Sequence, residues 1–284
     1  MTAATGRSPI LRATYITLAV ATIAAATAGL HLTFLTHETR TTFAWQIKNP
    51  MTAAFFGAAY VTAGIAVTAT MLRATRWEEL RPAAVVTCVF ITLAGIITLT
   101  HLGEFQYDSD EPVARFVSWV WLVLYLGLPF LLVASVVRQE IARVTGSYES
   151  AEPLIPGFRA AFVVTGTLLA LLGAGMALHL KPAVDMWPWA LPALSARVVG
   201  GWVLITGLTQ LWCTRENDWP KVRTYTIASL VFYPLQFIAA ARFSERFEGD
   251  NPRTWVYLAG LGVLFALQAA ACVAHIRRGR HRAV

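Results

Sequence analysis

The sequence predicts an all-α polytopic membrane protein: eight transmembrane helices arranged as two parallel-repeat four-helix halves, with both termini cytoplasmic. Three observations carry this. The chain is 56% hydrophobic and only 14% charged, with a mean hydropathy of +0.56, too apolar to clothe a soluble domain. Eight apolar runs are each long enough, at about 1.5 Å per residue, to cross a hydrocarbon core of roughly 30 Å. Features of the second run recur at an offset of 142 residues. No stretch alternates with the period of a membrane barrel, which leaves helices as the spanning element.

The first run, Ala13 to Leu35, carries Thr14, Thr17, Thr22, Thr27 and Thr33 and places Ala25 and Gly29 four apart. That small, weakly polar face suits close approach of a neighbouring helix. Arg7 and Arg12 before it, and AAATAG near its end, also resemble a secretory signal. Against that reading, the run is long for a signal, and its end, Gly29-Leu30-His31-Leu32, is echoed by Ala177-Leu178-His179-Leu180 in the fifth run. The second run, Met51 to Leu72, follows Pro50 and leads into Arg73, Arg76, Trp77 and Arg81. The third and fourth are Ala83 to Leu102 and Phe116 to Val137. They are joined by His101 to Arg115, which gathers charge and aromatic residues.

The longest polar connection, Arg138 to Arg159, is rich in Gly, Ser and Pro and joins the halves, 1–146 and 159–284, through a cytoplasmic linker at 147–158. The fifth run is Ala160 to Leu180. The sixth, Ala196 to Cys213, is the shortest. It is followed by Arg215, Trp219 and Arg223, which match Arg73, Trp77 and Arg81 at the constant offset, as Pro192 matches Pro50. Val222 to Phe243 and Trp255 to Ile276 complete the set, separated by Arg242 to Arg253, a second copy of the His101 to Arg115 pattern. Four crossings per half is an even number, so both copies enter from one side and the repeat is parallel, with its pseudo-twofold axis along the membrane normal.

Orientation follows from the basic residues. With cytoplasmic termini, the inner segments hold 15 of the 23 Lys and Arg, and the outer loops hold 9 of the 16 acids. The net charge of +7 therefore reflects topology in a cell membrane and its anionic lipids as partners, and gives no case for nucleic acid. Cys88, Cys213 and Cys272 fall in or at the edges of apolar runs, and read as buried small hydrophobes.

Candidate chemistry concentrates at the outer ends. His31 and His179 close the first and fifth runs, while His101 and Arg242 close the third and seventh. Together with Glu104 and Glu245 they form the expected ligand-binding set around the axis; Asp108 and Glu248 belong to the same two loops. His101 and Glu104 share a helix face at i, i+3, a spacing used by helical metal sites. His31, His37, His101 and Glu104 are accordingly the candidate ligands for a divalent metal, with haem through His31 and His101 as the other cofactor considered. At the inner face, Arg73, Trp77, Arg81, Arg215, Trp219 and Arg223 read as a lipid-headgroup collar. No phosphate-binding loop, dinucleotide fingerprint or nucleophile elbow is present.

Three functions are compatible with this plan. The first is binding or moving a small molecule or lipid through a cavity between the halves. The second is a membrane-embedded metal- or haem-dependent enzyme using the outer His and Glu residues. The third is an assembly partner in a membrane complex. Parallel duplicated halves commonly meet around a cavity on their axis, which favours the first, while the lack of any acid in the middle of a run argues against a deep carboxylate proton relay and so against a conventional proton-driven pump.

Overall fold

A computed structural model of the chain describes residues 8–143, 152–247 and 251–282. Arg7, Glu248 and residues 147–151 of the expected linker lie outside them. Eight helices are long and apolar enough to cross a membrane: α1 (Arg12–Phe34), α2 (Pro50–Arg73), α3 (Trp77–Leu99), α4 (Pro112–Ile141), α5 (Pro156–Ala177), α6 (Ala193–Glu216), α7 (Trp219–Arg242) and α8 (Pro252–Arg282). Several begin where the sequence supplies a start signal. Pro50, Pro112 and Pro156 occupy first-turn positions, where the missing N–H costs nothing, and the Asn49 side chain accepts from Met51 N–H. Pro129 and Pro234 lie inside α4 and α7.

The sixth helix corrects the sequence reading of its length. Its apolar run is short, yet α6 spans 24 residues and is the most enclosed helix, with 67% of its best apolar window buried against 22% for α1 and α8. A helix surrounded by protein need not be uniformly apolar, because its polar residues meet other side chains rather than lipid. Gln210, fully buried in α6, accepts from the Thr165 hydroxyl on α5.

The helix contacts define a centre and a periphery. α2 packs on α7, and α3 on α6; α1 lies against α2 and α4, and α5 against α6 and α8. α3 packs on α4, and α7 on α8. The tightest pairs meet through glycine. A Cβ on Gly173 would lie 2.1 Å from the Leu204 amide nitrogen, and one on Gly57 would lie 2.7 Å from that of Thr33. Such proximity brings backbones together where dispersion, rather than the hydrophobic effect, must hold helices within lipid. The outer faces of α1, α4, α5 and α8 expose Ile23, Phe34, Phe116, Phe130, Leu168, Leu171, Trp255 and Val263, as a lipid-facing surface requires.

Each end is tied across elements. At the end holding both termini, Trp77 N–H donates to Ser8 C=O, and Trp219 N–H donates to Glu152 C=O. Leu11 N–H donates to the Gln139 side chain on α4, while Ile155 N–H donates to His275 Nε2 on α8. These bonds occupy backbone donors just before α1 and α5 that would otherwise be costly beside apolar surroundings. At the opposite end Trp45 packs on Phe105 and Trp121, with ring centroids 5.5 and 5.0 Å away, and joins Phe105 through an isolated antiparallel bridge. Trp187 packs on Trp189 and Tyr257 at 5.1 and 5.5 Å, and Trp189 meets Phe247 at 5.9 Å.

Candidate functional site

A cavity of about 850 Å³ runs among the helices. Ala24, Ala28, Tyr60, Ala63 and Phe90 line it from residues 1–146, and Trp202, Thr206, Phe232 and Tyr257 from residues 159–284. Its lining is overwhelmingly apolar and reaches from His31, Phe43 and Trp187 at one end to Glu79, Cys213 and Lys221 at the other. Aromatic rings shape its middle. Tyr60 meets Trp202 edge-on at 4.8 Å, Phe90 lies 4.0 Å from Trp202, and the Tyr60 and Tyr125 hydroxyls are 2.6 Å apart. That bond lets the buried Tyr60 phenol and the partly buried Tyr125 phenol satisfy each other, so their polar oxygens do not forbid an apolar guest.

The few charged lining groups sit at the cavity's ends. Lys221 is nearly buried and pairs with Glu216 at 2.9 Å and Asp218 at 3.8 Å. Glu79 pairs with Arg76 at 3.1 Å and accepts from Thr75 N–H. His31 Nε2 is 3.0 Å from the Thr42 hydroxyl, whose own proton goes to Glu38 C=O. The His31 ring is therefore the donor in that contact.

The sequence-derived outer set divides into three places. His101, just beyond α3, is buried and, among the described residues, is the only member of the set with a charged partner on another helix. Its Nδ1 is 2.9 Å from Ile97 C=O, and its Nε2 is 3.0 Å from Arg197 Nη1 on α6. A guanidinium only donates, so Nε2 accepts and Nδ1 carries the proton. Glu104 Oε1 is 4.0 Å from the same Nε2. His31 is in the cavity wall. The third place is the exposed rim: His179 terminates α5 with a left-handed φ of 57°, Arg242 lies over the Phe243 ring at 5.0 Å, and Glu245 pairs with Arg246 at 3.6 Å rather than with Arg242. His37 is also exposed and stacks edge-on against Phe243 at 5.6 Å. Beside Phe105 and Trp119, burial pushes the Tyr107 phenol up from its ordinary value.

Two corrections follow. Among the described residues no three His, Cys, Asp or Glu side chains gather as a metal site requires, so His31, His37, His101 and Glu104 do not form one. His101 is instead spent on Arg197 and its own helix end. The inner collar also divides. Trp77 and Trp219 are buried, so neither ring is a headgroup anchor. Trp77 Nε1 and Arg81 Nε both donate to Glu140 Oε1, at 2.8 and 2.6 Å, and Trp219 stacks on His275 at 4.2 Å. Arg73, Arg215 and Arg223 remain exposed. The tryptophans open α3 and α7, and their backbone N–H groups bond to the segments that precede α1 and α5.

Sequence reasoning passed over Arg197 and Glu140. Arg197 had a signal: it is the one charge within the sixth apolar run, where an ionisable residue needs a specific reason. Glu140 had none, since its partners lie about 60 positions away.

Fold and cavity together describe an all-helical, multi-pass integral membrane protein with an apolar interior space. No protein-family model, curated protein or solved structure matches the chain.

Proposed function

We propose that this protein binds or carries an apolar, lipid-like molecule in the cavity between two duplicated halves, 1–146 and 159–284, with both termini cytoplasmic. The carrying observation is the 850 Å³ apolar space lined from both halves and edged by charge only at its ends. Its volume lies within the range of ligand-binding cavities, roughly 300–1,000 Å³. Apolar walls favour an acyl chain or an isoprenoid-like tail over an ion or sugar, whose polar groups would go unpaired there.

The duplication is supported by contacts that correspond between the halves: α2 on α7 with α6 on α3, α1 on α2 with α5 on α6, and α3 on α4 with α7 on α8. The Trp77–Ser8 and Trp219–Glu152 bonds correspond too, as do the Leu11–Gln139 and Ile155–His275 pairs. The 15 to 8 division of basic residues supports cytoplasmic termini.

The test is extraction and mass spectrometry of lipids retained by purified protein, beside the variants Ala63→Trp and Thr206→Trp, which add bulk to the cavity wall. A bound amphiphile retained at near one per chain and lost in both variants is the expected result. Equal retention in the folded variants would exclude the cavity as its seat.

A further inference from the structure

We infer that Arg197 and His101 form an anion site for a phosphate-type group at the end of the bundle opposite the termini, separate from the cavity. Neither residue lines the cavity, so the inference rests on the proposed duplication and not on a ligand in the cavity. Arg197 lies in the first turns of α6, partly buried. Among the described residues its only hydrogen bond is to the His101 ring, and no carboxylate lies within ion-pair distance of it. A guanidinium has five N–H donors, and a neutral imidazole takes one of them without supplying negative charge. Taking a cation partly out of water without a direct ion pair is unfavourable, and the remaining planar fork fits the oxygens of a phosphate.

Packing alone does not ask for this pair. At the offset of 142, Arg197 corresponds to Phe55 and His101 to Phe243, both buried at the α2–α7 side. The corresponding positions there are two buried apolar rings, with Phe55 packed on Trp187 and Phe232 and Phe243 beside His37. The charge on the α3–α6 side is a local addition, held in register because His101 Nδ1–H is fixed on Ile97 C=O. His101 is the positioning residue and Arg197 the one that touches the anion. Glu104, half exposed and 4.0 Å from His101 Nε2, is a like charge to any arriving anion and weakens its binding.

The phosphate group has two sources, a lipid headgroup or a small soluble anion, and two arms separate them. In the first, full-length protein is reconstituted in nanodiscs of equimolar phosphatidylglycerol and phosphatidylcholine, extracted in mild detergent and weighed by native mass spectrometry. In the second, its melting temperature is followed as inorganic phosphate is added at constant ionic strength. A phosphatidylglycerol preference reduced at least tenfold by Arg197→Gln identifies a lipid headgroup; a phosphate-dependent melting shift abolished by that substitution identifies a soluble anion. Folded Arg197→Gln protein that matches wild type in both arms overturns the site. Should Arg197→Gln fail to fold, Glu104→Gln decides the matter, because its side chain is half exposed. Removing the repelling charge should raise whichever binding wild type shows by about threefold, and unchanged binding overturns the proposal.

Discussion

The sharpest test of the helix packing is Gly173→Ala. The added methyl would stand 2.1 Å from the Leu204 amide nitrogen, 2.5 Å from its Cα and 2.7 Å from Gly200 C=O. All three are backbone atoms and cannot rotate away, so α5 and α6 must part by about an ångström, opening a seam that dispersion holds closed. Overpacking of this kind costs about 3 kcal/mol, at the upper end of its usual span. Replacing glycine inside a helix returns at most about 1 kcal/mol. The net loss is about 2 kcal/mol, which for a chain of this size lowers the melting temperature by roughly 4–8 °C. Gly64→Ala is the control: its methyl would meet Ala26 at 3.8 Å, an ordinary contact, and should leave the melt unchanged or slightly raised. The buried Cys213 and Cys272 thiols supply the readout, through a dye that fluoresces on reacting with thiols exposed by unfolding. If Gly173→Ala melts within a degree of wild type, or Gly64→Ala falls as far, the claim that glycine sets the α5–α6 distance is wrong.

Other perturbations have equally definite outcomes. Glu140→Ala removes the acceptor for Trp77 Nε1 and Arg81 Nε and should destabilise by about 1–2 kcal/mol, moderated by partial exposure of the pair; an unchanged melt would show that the cluster adds nothing. His275→Ala removes both the stack on Trp219 and the acceptor for Ile155 N–H, so a loss of about 2 kcal/mol is expected in the same thiol assay, with a Phe substitution recovering only the stacking part. His179→Gly should be neutral or stabilising by about 0.5 kcal/mol, since glycine adopts the left-handed φ of 57° without strain; a large loss of stability or ligand retention would give the ring a role its exposed position does not suggest. Single cysteines at Asp110 and Arg215, in a chain freed of its own thiols, should label from outside and inside respectively, and the reverse pattern would overturn the cytoplasmic termini.

Most of the architecture was legible in the chain because a bilayer imposes length and composition on whatever crosses it. Eight apolar runs gave eight helices, and prolines before the second, fourth and fifth stand at their first turns. The sixth helix was the exception. Enclosure relaxes the demand for continuous apolarity, so the most buried helix had the weakest signal. The proposed repeat rests on an offset, because positions such as Arg73 and Arg215 keep their place in the chain whatever they touch.

What the sequence could not supply was which polar groups meet. His31, His101, His179 and Arg242 all end apolar runs, but helix rotation decides where each side chain points, and hydropathy does not encode rotation. The fold sent His31 to the cavity, His101 to Arg197, and His179 and Arg242 to the rim. It likewise turned Trp77 and Trp219 inward, from apparent membrane anchors to buried closures beneath the helix ends. Partition into a membrane is a sum over residues and can be added up along a chain, whereas a binding site depends on distances between residues far apart in sequence, fixed only when the helices pack.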